Sequence, residues 1–162
     1  MRSDKMIMGR KLIFFVLGMS ATRHFLNKIM KEKDRKIERQ NADIEMLERW
    51  MTLRDKGIAI DRYLQDLNCR KVAIYGLAML GNHLYEELKK TNIEIAGIDR
   101  ADIYDNYQMP IYKPDDVGYG DIDLIIVTSY SYEKIYPSLR KLYKGKIMSL
   151  RQLISESERY LY

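Results

Sequence analysis

Only one cysteine, Cys69, stands in the 162 residues. A single thiol excludes an internal disulfide and any cysteine-built metal cluster, and it fits a reducing, cytoplasmic setting. The two histidines, His24 and His83, lie in different regions without a Cys/His/Asp cluster, so no metal site is indicated. No nucleophile elbow is present, and no lysine follows a glycine-rich turn at P-loop spacing. Neither glycine nor proline falls between Ala21 and Gly57, which leaves room for one long helix. Long apolar runs are missing too: residues 12–21, LIFFVLGMSA, fall well short of the ~20 residues that span a bilayer.

A chain-wide charge bias is also absent. The net charge of +5 is concentrated at the start, where residues 1–40 hold eleven Lys/Arg against four acids and leave −2 for the rest. This argues against nucleic acid as a partner, because a binding domain would itself be basic. The N-terminal segment admits three readings. It is a signal peptide, with Arg10 and Lys11 before the apolar run and Gly18, Ser20 and Ala21 behind it. Or it is an interfacial helix held on an anionic membrane by Arg23, Lys28, Lys31 and Lys33. Or it is an apolar arm that packs on the domain or on another subunit.

Beyond it, Leu26, Met30, Lys33, Ile37, Gln40, Ile44, Leu47 and Met51 alternate spacings of four and three. That is a heptad seam with two polar interruptions, so self-association is one expectation. The other is a helix that merely lays Leu47, Trp50 and Met51 on the domain. Gly57 is expected to end it, and a short helix over Ile60–Leu67 to lead on with Tyr63, Leu64 and Leu67 inward. The division expected is a tethering or self-association arm over 1–53 and a ligand-binding domain over 54–162.

The centre of the chain is Lys71–Lys90, KVAIYGLAMLGNHLYEELKK. An apolar run ends in Gly76 and a helical pattern starts at once, with Leu84, Tyr85 and Leu88 toward a sheet and Glu86, Glu87, Lys89 and Lys90 toward water. Strand, tight turn and helix are the first half of a βαβ unit whose helix start can face an anion. Gly76-Leu77-Ala78-Met79-Leu80-Gly81 departs from the dinucleotide fingerprint at Ala78, where the backbone should approach a pyrophosphate most closely. This disfavours a full dinucleotide and leaves room for a mononucleotide or a differently angled diphosphate. A second strand, Ile93–Ile98, ends in Asp99, placed where a ribose-binding acid is expected; a turn-forming role is the alternative. Arg100 offers a planar fork to a phosphate. His83, in the first turn of the helix, is placed to touch a phosphate or to lie on the surface.

Residues 101–120 read as loop with a short edge strand near Gln108–Tyr112. DIDLIIVTS, 121–129, is continuously apolar at its middle, as a strand covered on both faces must be. Thr128 and Ser129 then reach the same sheet edge as Gly76 and Asp99, either for a phosphate or ribose or as a helix cap. A helix over Tyr132–Tyr143 turns Ile135, Leu139 and Leu142 inward with Pro137 in or near its first turn. A strand Lys146–Leu150 and a helix Arg151–Glu158, capped by Ser149, complete the chain. Tyr130 and Lys134 have the spacing of a short-chain dehydrogenase pair but arrive too soon after Gly76. Glu86-Glu87 and Asp115-Asp116 read as solvated faces. The fold expected is α/β, a small Rossmann-like parallel sheet of four or five strands flanked by helices and preceded by a long helix.

KVAIYGLAMLGNHLYEELKK, IEIAGIDR, DIDLIIVTS and KIMSLRQLI, with the preceding ERWMTLRDKGIAIDRYL, resemble small bacterial Rossmann-like domains of surface-polysaccharide and glycosyltransferase gene clusters. These are similar to the nucleotide-sugar-binding N-terminal domain of sugar O-acyltransferases and the C-terminal domain of sugar C-methyltransferases. The resemblance covers about residues 45–155. It implies a nucleotide or nucleotide-sugar ligand at the Gly76–Gly81 turn and Asp99; with Arg100, Thr128 and Ser129 from the residue chemistry above, the candidate binding set is Gly76, Leu77, Ala78, Met79, Gly81, Asp99, Arg100, Thr128 and Ser129, and no complete catalytic constellation stands among the residues. The acyltransferase β-helix and the methyltransferase catalytic domain have no counterpart here. The function expected is an accessory module of polysaccharide synthesis, cytoplasmic or peripheral at the membrane, with a glycosyltransferase or a second copy as partner. A small NAD(P)-dependent oxidoreductase or epimerase, and a ligand-free oligomerising scaffold, are the alternatives.

Overall fold

The computed structural model describes residues 22–101, 107–116 and 120–162 in full, and residues 2–21 as helical backbone alone. The chain forms two compact units, 1–41 and 42–162. The first belongs to helix α1 (Arg2–Asp55). Within residues 22–41 every side chain is exposed except Ile29, which is half-buried. The readings of residues 12–21 and those parts of the 101–120 loop at 102–106 and 117–119 lie outside the described residues. Among the described residues no helix is long and apolar enough to cross a membrane.

The second unit takes in the last turns of α1 and starts at Ala42. Met46, Trp50 and Leu53 are buried there, one turn apart on one face. Met51, which the second reading of this helix lays on the domain, is 59% exposed. Helix α1 closes as Gly57 goes left-handed at φ 73°; its N–H reaches Arg54 O at 2.9 Å and Ile58 N–H reaches Leu53 O at 2.9 Å. This paired closure satisfies carbonyls the helix end would orphan. Helix α2 (Asp61–Asp66) ends the same way with Asn68 at φ 55°.

A five-stranded sheet follows: β1 (Lys71–Tyr75), β2 (Glu94–Ile98), β3 (Ile111–Tyr112), β4 (Leu124–Val127) and β5 (Lys146–Ser149). All pairings are parallel, in the order β3-β2-β1-β4-β5. Helix α3 (Met79–Leu88) links β1 to β2, α4 (Tyr132–Leu142) links β4 to β5, and α5 (Leu150–Ser157) follows β5. Alternation along each strand feeds two cores. Val72, Ile74, Leu124, Ile126 and Met148 pack with α1, α2, α3 and α5. Ala73, Ala96, Ile98, Ile125 and Val127 pack with Leu139 and Tyr143 at α4. The four consecutive apolar residues of β4 are all buried because both faces are covered.

Three local expectations are corrected. Leu142 faces out, and Tyr143 takes its place in the core, donating its hydroxyl to Ile122 O at 2.6 Å. Pro137 is the sixth residue of α4, beyond its first turn, on the exposed side. Glu87 does not face water freely: it accepts Trp50 Nε1–H at 2.7 Å and Ile60 N–H at 3.1 Å, fastening α1 and α2 to α3. A pattern of charge on a helix could not show that two donors arrive from other elements.

Glu87→Ala should therefore cost about 2–3 kcal/mol in urea unfolding, since it strands two donors, whereas Glu87→Gln should cost less than half of that. Equal losses would contradict the pairing. At the start of the sheet, Asp123 accepts Arg70 N–H at 2.8 Å and Lys71 N–H at 2.9 Å, and these bonds hold its carboxyl below the usual aspartate range. Its contribution is present above the ordinary carboxyl pKa and is lost as pH falls through the lower folded value. Asp123→Ala should destabilise by about 1 kcal/mol at neutral pH and converge on the parent protein in an acid titration of Tm.

Candidate functional site

Strand order reverses direction beside β1, with β2 on one side and β4 on the other. In open parallel sheets, the carboxyl ends of the strands at such a point border a crevice. Three devices shape this edge. Gly76 leaves β1 at φ 93°, a region that disfavours any side chain. Gly81, in the first turn of α3, lies so close that a Cβ there would fall 1.9 Å from Gly76 O. Thr128 bridges the two strand ends, its Oγ1 lying 2.6 Å from Gly76 O and 3.2 Å from Tyr75 O.

Asp99 is directed at the same turn. Its Oδ2 accepts Leu77 N–H at 2.7 Å and its Oδ1 accepts Ala101 N–H at 3.0 Å. The acid thus ties the end of β2 to the turn after β1. The Tyr107 hydroxyl adds a bond to Leu77 O at 3.2 Å. Arg100 is exposed; burial pushes the Tyr75 hydroxyl's pKa up, and the nearby Arg100 charge opposes that. Leu77 is buried in the core, while Ala78 and Met79 are exposed at the helix start. Ala78 is the N-cap of α3 and no side chain caps this helix. Its first amides thus face the strand-end edge with the positive end of the helix dipole behind them.

Beside this turn lies a hollow of about 450 Å³, lined by Leu80, Thr128, Ser129, the start of α4, the β5–α5 junction and residues of α1. Its charged lining is mixed: Lys134 and Arg151 against Asp43 and Glu133. Ser149 Oγ accepts Gln152 N–H at 3.1 Å and caps α5, whereas Ser129 Oγ accepts Ser131 N–H at 3.2 Å in the turn before α4, whose start has no side-chain cap. Gly76, Leu77, Ala78, Met79, Gly81, Asp99, Thr128 and Ser129 therefore share one sheet edge. Within that group Asp99 and Thr128 shape the turn, and only Thr128 and Ser129 line this hollow. His83 is exposed away from it, in a groove with Trp50, Met51 and Arg54. Tyr130 precedes α4 and Lys134 lies within it, so they do not share a helix face as a dehydrogenase pair would. Cys69 is buried and its thiol is pushed up by desolvation, which leaves it protonated and unreactive.

Searches against protein-family models and curated proteins found no match. Among the described residues no group of His, Cys, Asp and Glu has the arrangement to hold a metal ion.

Arg151, Glu133 and Asp43 were not legible as site residues in the sequence. Arg151 and Glu133 come together only when β5 is laid beside β4, and Asp43 arrives from α1; the available signal was Ser149-Leu150-Arg151 following a strand at the sheet's carboxyl edge.

Gly81→Ala should lower stability by about 3 kcal/mol or more in thermal unfolding, because the new methyl meets backbone that cannot rotate away. Gly57→Ala, where a Cβ meets nothing within 4 Å but φ is 73°, should cost only about 1 kcal/mol of backbone strain. A Gly81→Ala protein as stable as its parent would refute the close contact.

Proposed function

We propose that the chain is a nucleotide-sugar-binding accessory module, without a reaction of its own, acting in bacterial cell-surface polysaccharide synthesis and tethered through its N-terminal helix to a membrane surface or partner enzyme. The observation that carries the binding part is the uncapped start of α3, exposed where β1 and β4 end. A diphosphate placed there meets helix amides and a favourable dipole. The methyl of Ala78 at the closest approach weighs against a full dinucleotide.

The neighbouring hollow supports a sugar in preference to a nicotinamide. Its volume is in the range of small-ligand sites. Hydroxyls, two carboxylates and two cations line it, and such a set can accept from and donate to the hydroxyls of a hexose. The nucleoside would lie toward Asp99, the sugar toward Arg151, and the diphosphate between them. Asp99 positions the turn through Leu77 N–H and stands at the ribose end of this arrangement. The polysaccharide setting is supported by the sequence resemblance over about residues 45–155.

UDP- and CDP-sugars at saturating concentration should raise Tm by several degrees, as a ligand at 100 times its Kd contributes about 2.7 kcal/mol. Arg151→Ala should weaken the response to the sugar nucleotide more than to the bare nucleoside diphosphate. Asp99→Ala should abolish both responses. A panel of nucleotides that leaves Tm unmoved would overturn the reading.

A further inference from the structure

We propose that residues 22–31 of helix α1 lie in the plane of an anionic lipid bilayer, apolar face down. This placement rests on the tether in the proposed function and gives it one partner, a lipid surface; the nucleotide site plays no part in it. Phe25, Leu26 and Met30 are each more than half exposed, and Ile29 is half-buried. At the usual helix pitch these four side chains, with Thr22 among them, fill one arc of roughly 140°. Arg23, His24, Asn27, Lys28 and Lys31 occupy the rest of the circumference, so apolar and polar residues do not mix. With its apolar side chains in water the segment lacks the packing that ordinarily sustains a helix, and a bilayer surface supplies it.

Three observations select lipid as the occupant. The arc is wider than the a/d stripe of a two-stranded coil, and it takes in Phe25, which a seam through Leu26 and Met30 leaves out. Charge is of one sign: no Asp or Glu stands between Lys5 and Lys31, a stretch that holds six Lys/Arg. Such a segment is drawn to anionic headgroups. Arg23 borders the apolar arc beside Met30, and Lys28 is the nearest cation beside Phe25. Their aliphatic stems extend the apolar rim while their charged heads meet lipid phosphate. The pattern also has an end. Over residues 32–41, Glu32, Asp34 and Glu38 interleave with Lys33, Arg35, Lys36 and Arg39, and Ile37 is the single apolar residue. Mixed charge of this kind suits water, so the lipid contact stops near Lys31.

The full chain is tested by co-sedimentation with vesicles of phosphatidylcholine and of phosphatidylcholine mixed equally with phosphatidylglycerol. Binding to the mixed vesicles should be about tenfold tighter or more and should weaken as salt is raised. Lys28→Gln and Lys31→Gln should each weaken it about fivefold, and the pair Phe25→Asp and Met30→Asp should abolish it. The thermal transition of the sheet domain should be unchanged in all of these. Orientation is read by fluorescence with lipids brominated in their acyl chains. Phe25→Trp should be quenched and Asn27→Trp should not, Trp50 being common to both. A full chain left in solution by the mixed vesicles, equal binding to both vesicles, or equal quenching at positions 25 and 27 would each overturn the proposal. So would a chain that dimerises through Phe25 and Met30 and ignores the vesicles. The nucleotide-induced shift in Tm is measured without lipid, so either reading can fail while the other stands.

Discussion

The approach of helix α3 to strand β1 is set by the absence of a side chain at position 81, where backbone meets backbone around Gly76 O. Everything at the carboxyl edge follows from that contact. Because α3 starts so close to the sheet, the turn between them has only Leu77 and Ala78 to reverse direction. A turn this tight must expose amides, and the fold answers with side chains from two other strands. Asp99 accepts Leu77 N–H and Thr128 engages Gly76 O. The end of β1 is therefore clamped from β2 on one side and β4 on the other, which holds the helix start at a fixed angle over the switch point.

Much of this was legible because it rests on local chemistry. Gly76 and Gly81 mark the turn, continuous apolarity marks β4, and Gly57 marks the end of α1. Each signal is carried by residues adjacent in sequence, and each element appears within a few residues of its expected place. What could not be read depends on partners far along the chain. Glu87 looked solvated because its two donors, Trp50 and Ile60, belong to other elements. Tyr143 was passed over for Leu142 because a one-residue phase difference in α4 decides which ring enters the core, and the hydroxyl of Tyr143 needs Ile122 O to be there. Asn68 closes α2 in the left-handed region without a glycine to announce it. The candidate site divides likewise. Its turn was visible, while Arg151 and Glu133 were brought to the hollow by strand order and Asp43 by the packing of α1 on the domain.

The last turns of α1 are built into the domain by charge as well as packing. Arg49 makes a two-pronged pair with Glu158, at 2.9 and 2.8 Å, which raises the arginine and lowers the carboxyl from their usual pKa values. The groups are about one-third exposed, so the pair contributes on the order of 1 kcal/mol or less. Its value is directional: with the Trp50–Glu87 bond it fixes which face of α1 turns inward, and therefore which residues are left on the outside.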